Sequence, residues 1–153
     1  MSLRASNQDL YHNVEVRRVI SPLAIGANAT KTGKIIDRAG YFGVSFIASY
    51  GAVATTGSVA TLVMFEGDVT GTMTSVADAD MLGTELAASL TATTPRTSGV
   101  SKNFSTKLGY KGRKRYVRVD VVQTGVTSVG CVSVDAVLFN PEIAPTASVA
   151  ASQ

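Results

Sequence analysis

The 153-residue chain holds no tryptophan, one cysteine, one histidine and four prolines, and only 16% of its residues are charged. The lone Cys131 excludes an intrachain disulfide, and together with His12 it supplies too few soft ligands for a closed zinc site. With a single histidine, a Ser/His/Asp or Cys/His relay would have to draw its base from the polar stretch at the N-terminus. No apolar run approaches the roughly 18 residues of a membrane span, and MSLRASNQDLYHN lacks the apolar segment of a secretion signal. The expectation is a protein made in the cytoplasm, with no membrane partner. A net charge of +3 falls short of the clustered excess that marks a dedicated nucleic-acid binder.

What the chain has in quantity is Thr, Ser, Val, Ala and Gly, which suit pleated strands and turns better than surface helices. One core suffices at this length, and a second would be starved of apolar surface. The alternation in NVEVRRVI puts Val14 and Val16 on one face and Glu15 and Arg17 on the other, and Ser21-Pro22 is expected to end that strand. YFGVSFIASY, residues 41–50, is so dense in apolar side chains that it reads as a central strand covered on both faces. In SVATLVMFE, residues 58–66, Ala60, Leu62 and Met64 oppose Val59, Thr61, Val63 and Phe65.

Residues 67–95 read as a long irregular connection in which Asp78 caps one helical turn through Met81 and Leu82. Three further strands are expected over residues 100–110, 113–123 and 129–139, joined by hairpins, and residues 51–57 read as another hairpin loop. The prediction is an all-β, single-domain, jelly-roll-like β-sandwich over residues 14–139. Extended arms of residues 1–13 and 140–153 flank it, aperiodic apart from the anchors Leu10 and Tyr11.

Motifs for catalysis or cofactors are weak. GANATKTGK, residues 26–34, ends like a phosphate loop but has six residues between its glycines where four are needed, and Ile35 stands where magnesium's hydroxyl ligand belongs. Residues 125–130, GVTSVG, share only composition with a serine elbow. Glu66, Asp68, Asp78 and Asp80 lack the spacing of a calcium loop and read as solvated turn acids. No catalytic, cofactor or metal residue is assigned, and an enzyme acting through those four acids ranks last.

The feature that stands out is GYKGRKRYVRVDVV, residues 109–122, with Lys111, Arg113, Lys114, Arg115 and Arg118 crowded into eight positions. Basic residues interleaved with Tyr110 and Tyr116 could grip a single-stranded nucleic acid. The pleat, however, sends Arg115, Val117, Val119 and Val121 to one face and Tyr116, Arg118, Asp120 and Val122 to the other, dividing the charge. A contact with acidic groups on a protein neighbour is the better reading, and it also keeps an apolar strand soluble.

The order of pieces resembles small structural proteins of tailed-bacteriophage heads. It comprises an apolar strand ending in Gly67-Asp68, then VADADMLGT, a Ser/Thr-rich loop, KLGYKGRKRYVRV, a last strand and a Pro/Ala tail. The resemblance covers residues 34–145 and is most specific in GYKGRKRYVRV. It implies a capsid decoration, or cement, protein of jelly-roll fold: not an enzyme, held on the capsid exterior of the virion, bound to the major capsid protein and to itself as a dimer or trimer. Contacts are expected at Leu10, Tyr11, Lys111, Arg113, Lys114, Arg115, Arg118, Pro141 and Ile143. The alternatives are the base of a head spike or head fibre and, in another class, a nucleic-acid-binding β module.

Overall fold

The structure, a computed structural model, describes residues 10–25, 27–52, 59–91, 103–125 and 130–143. In chain order its elements are β1 (Val14–Ile25), β2 (Thr30–Lys31), β3 (Ile36–Asp37), β4 (Tyr41–Tyr50), β5 (Val59–Val69) and β6 (Thr72–Ser75). A 3-10 turn (Asp78–Asp80), β7 (Met81–Leu82), the single-turn helix α1 (Glu85–Ala88), β8 (Leu90–Thr91), β9 (Phe104–Tyr110), β10 (Tyr116–Thr124) and β11 (Gly130–Pro141) follow. Of the expected arms, residues 1–9 and 144–153 lie outside the described residues, as do Gly26 and residues 53–58, 92–102 and 126–129, which include the starts of the strands expected over residues 100–110 and 129–139.

All strand pairs among the described residues are antiparallel. The first sheet runs β1-β11-β4-β9-β7, and the second runs β2-β10-β5-β6, with β3 also on β10 and β8 also on β5. Take β2 and β3 as one broken strand, set aside the two-residue β7 and β8, and the remaining strands number one to eight along the chain. They then stand in the order 1-8-3-6 in one sheet and 2-7-4-5 in the other. That is the strand order of a jelly roll, two Greek keys folded face to face.

Alternating burial builds the core. Val44, Phe46, Ala48 and Tyr50 of β4, Leu108 and Tyr110 of β9, and Val132, Val134, Ala136 and Leu138 of β11 form one cluster with the second sheet. From that sheet come Ala60, Leu62 and Met64 of β5 and Val117, Val119 and Val121 of β10. A fully buried Val, Leu or Phe stabilises the fold by roughly 1.5–3 kcal/mol, so this interlayer is the main driving force.

Several expectations need correction. β4 is central in its sheet but covered on one face only: Ile47 and Ser49, between the buried Phe46, Ala48 and Tyr50, are exposed. Ser21-Pro22 does not end β1, which bends through register shifts after Arg18 and after Ile20 and continues to Ile25. An edge strand tolerates proline because its missing N–H faces no ladder partner. The joins β4 to β5, β9 to β10 and β10 to β11 are not hairpins, since each links strands of different sheets. Each of these strands already has an apolar row facing inward, and successive rows bury each other across the sandwich rather than side by side.

The long connection holds two short helical pieces. Asp78 begins the 3-10 turn without a side-chain cap bond, and Met81 and Leu82 continue as strand. The capped turn is α1, where the Thr84 hydroxyl accepts the Ala87 amide. Asp120, on the outward parity of β10, is nevertheless buried, because it accepts the Gly33 amide at 3.0 Å and sits 2.9 Å from Arg118 Nε. A Cβ on Gly33 would fall 2.1 Å from the Val119 carbonyl oxygen, so only glycine admits this close crossing.

Candidate protein interface

Strand register gathers the site. Glu15, Leu138, Val44, Tyr110 and Met81 lie in one row across the first sheet, and Val14, Phe139 and Gly43 lie in the next. The start of β1, the end of β11, the start of β4 and the end of β9 therefore share one end of the sandwich. Leu10 and Tyr11, Pro141 and Ile143, and the basic loop of residues 111–115 all sit there. Pro141 belongs to β11, paired with Tyr41, rather than to an arm.

The basic loop is held on Tyr110. This residue ends β9 pointing inward, its phenol donates to Glu66 of the opposite sheet, and its oxygen accepts the Lys114 amide at 3.0 Å. A Cβ on Gly112 would lie 2.4 Å from that oxygen, so the loop can close over the ring only with glycine there. Arg38 clamps the loop from outside. Its NH1 donates to the Gly112 carbonyl at 2.6 Å, its guanidinium lies 5.1 Å from the Tyr110 ring centre, and its amide donates to Arg115 O at 3.1 Å. The Lys111 amide donates to Asp80 O at 2.9 Å. Burial first, and then the bond to Glu66, pushes the Tyr110 phenol well above its ordinary range, which keeps it a donor.

The five cations separate into two groups. Lys114 pairs with Asp68 at 2.5 Å, Arg115 binds both Asp37 oxygens at 3.0 and 2.7 Å, and Arg118 pairs with Asp120. Arg118 lies inside β10, its guanidinium over Phe65, away from the basic loop. The hydrogen bond from Arg115 holds the Asp37 carboxyl below the usual carboxylate range, against a smaller opposing effect of burial. Solvent screens the Lys114 and Arg115 pairs, so they orient side chains more than they stabilise the fold. Lys111 and Arg113 have no ion-pair partner among the described residues. With Glu66, Asp80 and Lys114 they line an open cleft of about 420 Å³.

The same end of the sandwich also exposes large apolar side chains. Leu10, Tyr11 and Ile143 are each more than 70% exposed, and Phe42 is 64% exposed. Sequence reading missed Phe42 and Val16. The pleat gave no signal for Val16, because its neighbours Glu15 and Arg17, opposite buried Leu138 and Ala136, are the residues that turn inward. There Arg17 Nε bonds Glu15 at 2.7 Å, Arg17 NH1 donates to Asp37 O at 2.7 Å, and the Tyr41 hydroxyl donates to Glu15 at 2.7 Å.

Of the four turn acids, Glu66 and Asp80 line the cleft, Asp68 is held by Lys114 beside it, and Asp78 begins the 3-10 turn that Asp80 ends. Among the described residues no three His, Cys, Asp or Glu side chains are placed to hold a metal ion. His12 precedes β1 while Cys131 pairs with Ala24 near its far end, a separation on the order of 30 Å along the strand. A Cys/His relay within one copy is therefore excluded by distance.

No family model and no curated protein matches the chain.

Proposed function

We propose that this chain is a virion structural protein that decorates a phage capsid from outside and stabilises it by bridging adjacent major capsid subunits. The observation that carries the reading is the gathering, at one end of a rigid jelly roll, of both approaches to the terminal segments, exposed apolar side chains and two unpaired cations. Exposed Leu10, Tyr11, Phe42 and Ile143 bury apolar area against a neighbour, while Lys111 and Arg113 select acidic groups on it. Weak contacts repeated over a lattice then add up through avidity.

Engagement of Lys114, Arg115 and Arg118 with aspartates of the same chain argues against a phosphate-binding stripe, since those charges are already neutralised. The test is co-sedimentation of the purified chain with capsids stripped of accessory proteins. Saturable, stoichiometric binding is expected. Binding instead to single-stranded nucleic acid, with a steep salt dependence, would replace this reading with the nucleic-acid module.

A further inference from the structure

The cleft beside the basic loop is not simply positive. Its volume of about 420 Å³ is lined by the acids Glu66 and Asp80 and by the bases Lys111, Arg113 and Lys114. Lys114 is already held by Asp68 at 2.5 Å, so the charges left open are two of each sign. An anion drawn to Lys111 and Arg113 meets Glu66 and Asp80 in the same space.

These four charges share the cleft without touching. Among the described residues they form no ion pair with one another, and the Asp80 carboxylate has no hydrogen bond. Glu66 gives Oε2 to the Tyr110 phenol and keeps Oε1 open. The frame holds them apart: the Lys111 amide donates to Asp80 O at 2.9 Å, Arg38 NH1 to Gly112 O at 2.6 Å, and the Lys114 amide to the Tyr110 oxygen at 3.0 Å. Every one of those bonds fixes main chain, and none uses the Lys111 or Arg113 side chain. Asp80 and Lys111 are thus joined through their backbones while their opposite charges stay unpaired. A site fixed before its partner arrives loses less on binding than one that must first be ordered.

The balance of sign decides what fits. Like charges brought together across an interface oppose binding, and such repulsion contributes to specificity alongside attraction. A phosphate chain or a purely acidic loop meets two attractions and two repulsions here. A group that carries both signs, turned the right way, meets attraction from all four. The volume lies within the roughly 300–1,000 Å³ of small-ligand sites, enough for two side-chain heads.

We infer that the cleft receives an acid and a base carried side by side on a surface loop of the neighbouring capsid subunit, the acid on Lys111 and Arg113 and the base on Asp80 and Glu66. The inference rests on the capsid reading and adds a second sign to it: Asp80 selects the partner as the two cations do.

The test is binding of the full chain to capsids stripped of accessory proteins, with the charge of one acid changed. Asp80→Lys is expected to weaken binding at least about tenfold, and Asp80→Asn to weaken it less. Both variants keep the backbone oxygen that holds Lys111. Asp78→Lys makes the same charge change in the same 3-10 turn but outside the cleft, and it is expected to bind as the unaltered chain does. A cleft that selects acids alone predicts the opposite sign, because Asp80→Lys adds a further cation. Unchanged or tighter binding by Asp80→Lys, or equal weakening by Asp78→Lys, would overturn the inference. A blocked Asp-Lys dipeptide separates the inference from the capsid reading: it is expected to shift the Lys111 and Arg113 amide resonances, and a blocked Asp-Asp dipeptide is not. An unaltered chain that takes the Asp-Lys dipeptide but coats no capsid refutes only the capsid reading, and one that coats capsids equally well with Asp80→Lys refutes only the inference.

Discussion

Tyr110 and Glu66 tie the two sheets together at the end where the basic loop begins: a phenol on β9 donates to a carboxylate on β5, and its oxygen receives the Lys114 amide. The loop's shape thus depends on a residue buried beneath it. Tyr110→Phe keeps the ring but removes both bonds, and it is expected to lower unfolding free energy by about 1–3 kcal/mol. Chemical denaturation measures the loss, and faster hydrogen exchange at the Lys114 amide localises it.

Asp120 is the stability-critical member of the charged set. Asp120→Ala removes the acceptor of the Gly33 amide and leaves Arg118 with an uncompensated, mostly buried charge. The expected cost is about 3 kcal/mol. Lys114→Ala, at a solvent-screened pair, is expected to leave the denaturation midpoint unchanged. Equal losses for the two variants would contradict this ranking.

Acid should weaken the fold at the same end of the sandwich. The hydrogen bond from Arg17 lowers the Glu15 carboxyl, and that from Arg115 lowers Asp37, in each case against burial. A carboxylate whose pKa is lower when folded contributes stability that is present above its unfolded pKa and lost as pH falls through the folded value. The stability is therefore expected to decline between about pH 5 and pH 2, and Glu15→Gln with Asp37→Asn to flatten the decline. At the alkaline extreme, burial and the bond to Glu15 push Tyr41 up to about 12, so its contribution is held below the unfolded pKa and lost as pH rises through the folded value.

Capsid attachment should depend on the unpaired cations. Lys111→Glu with Arg113→Glu is expected to reduce occupancy at least about tenfold, equivalent to roughly 1.4 kcal/mol, with no change in thermal midpoint. The matched reversal at Lys114 and Asp68, which swaps a pair already satisfied within the chain, is expected to leave occupancy nearly intact.

Much of the frame was legible from pleat alone. The alternation of Val117, Val119 and Val121, and of Val132, Val134, Ala136 and Leu138, gives the buried face of β10 and β11 directly. What periodicity could not supply was the partner of each strand. A two-residue period is the same whether the next strand lies alongside or across the core, and for this reason the three crossovers read as hairpins. β1 misleads for another reason: its inward residues Glu15 and Arg17 satisfy each other and Tyr41 near the rim, so hydropathy points to the wrong face.

The candidate interface was legible as a set of residues and not as a place. Leu10, Lys111 and Ile143 are separated by most of the chain, and strand register alone brings their segments together. Lys111 and Arg113 differ from Lys114, Arg115 and Arg118 only through the positions of Asp68, Asp37 and Asp120, a distinction that no local reading of GYKGRKRYVRV contains.

Electron cryo-microscopy of capsids prepared with and without this chain tests the central claim most directly. The account predicts extra jelly-roll density on the outer surface, seated over the junction of adjacent major capsid subunits, with the end bearing Leu10, Phe42, Lys111, Arg113 and Ile143 facing the shell. Identical maps, or density confined to the genome inside, would contradict it.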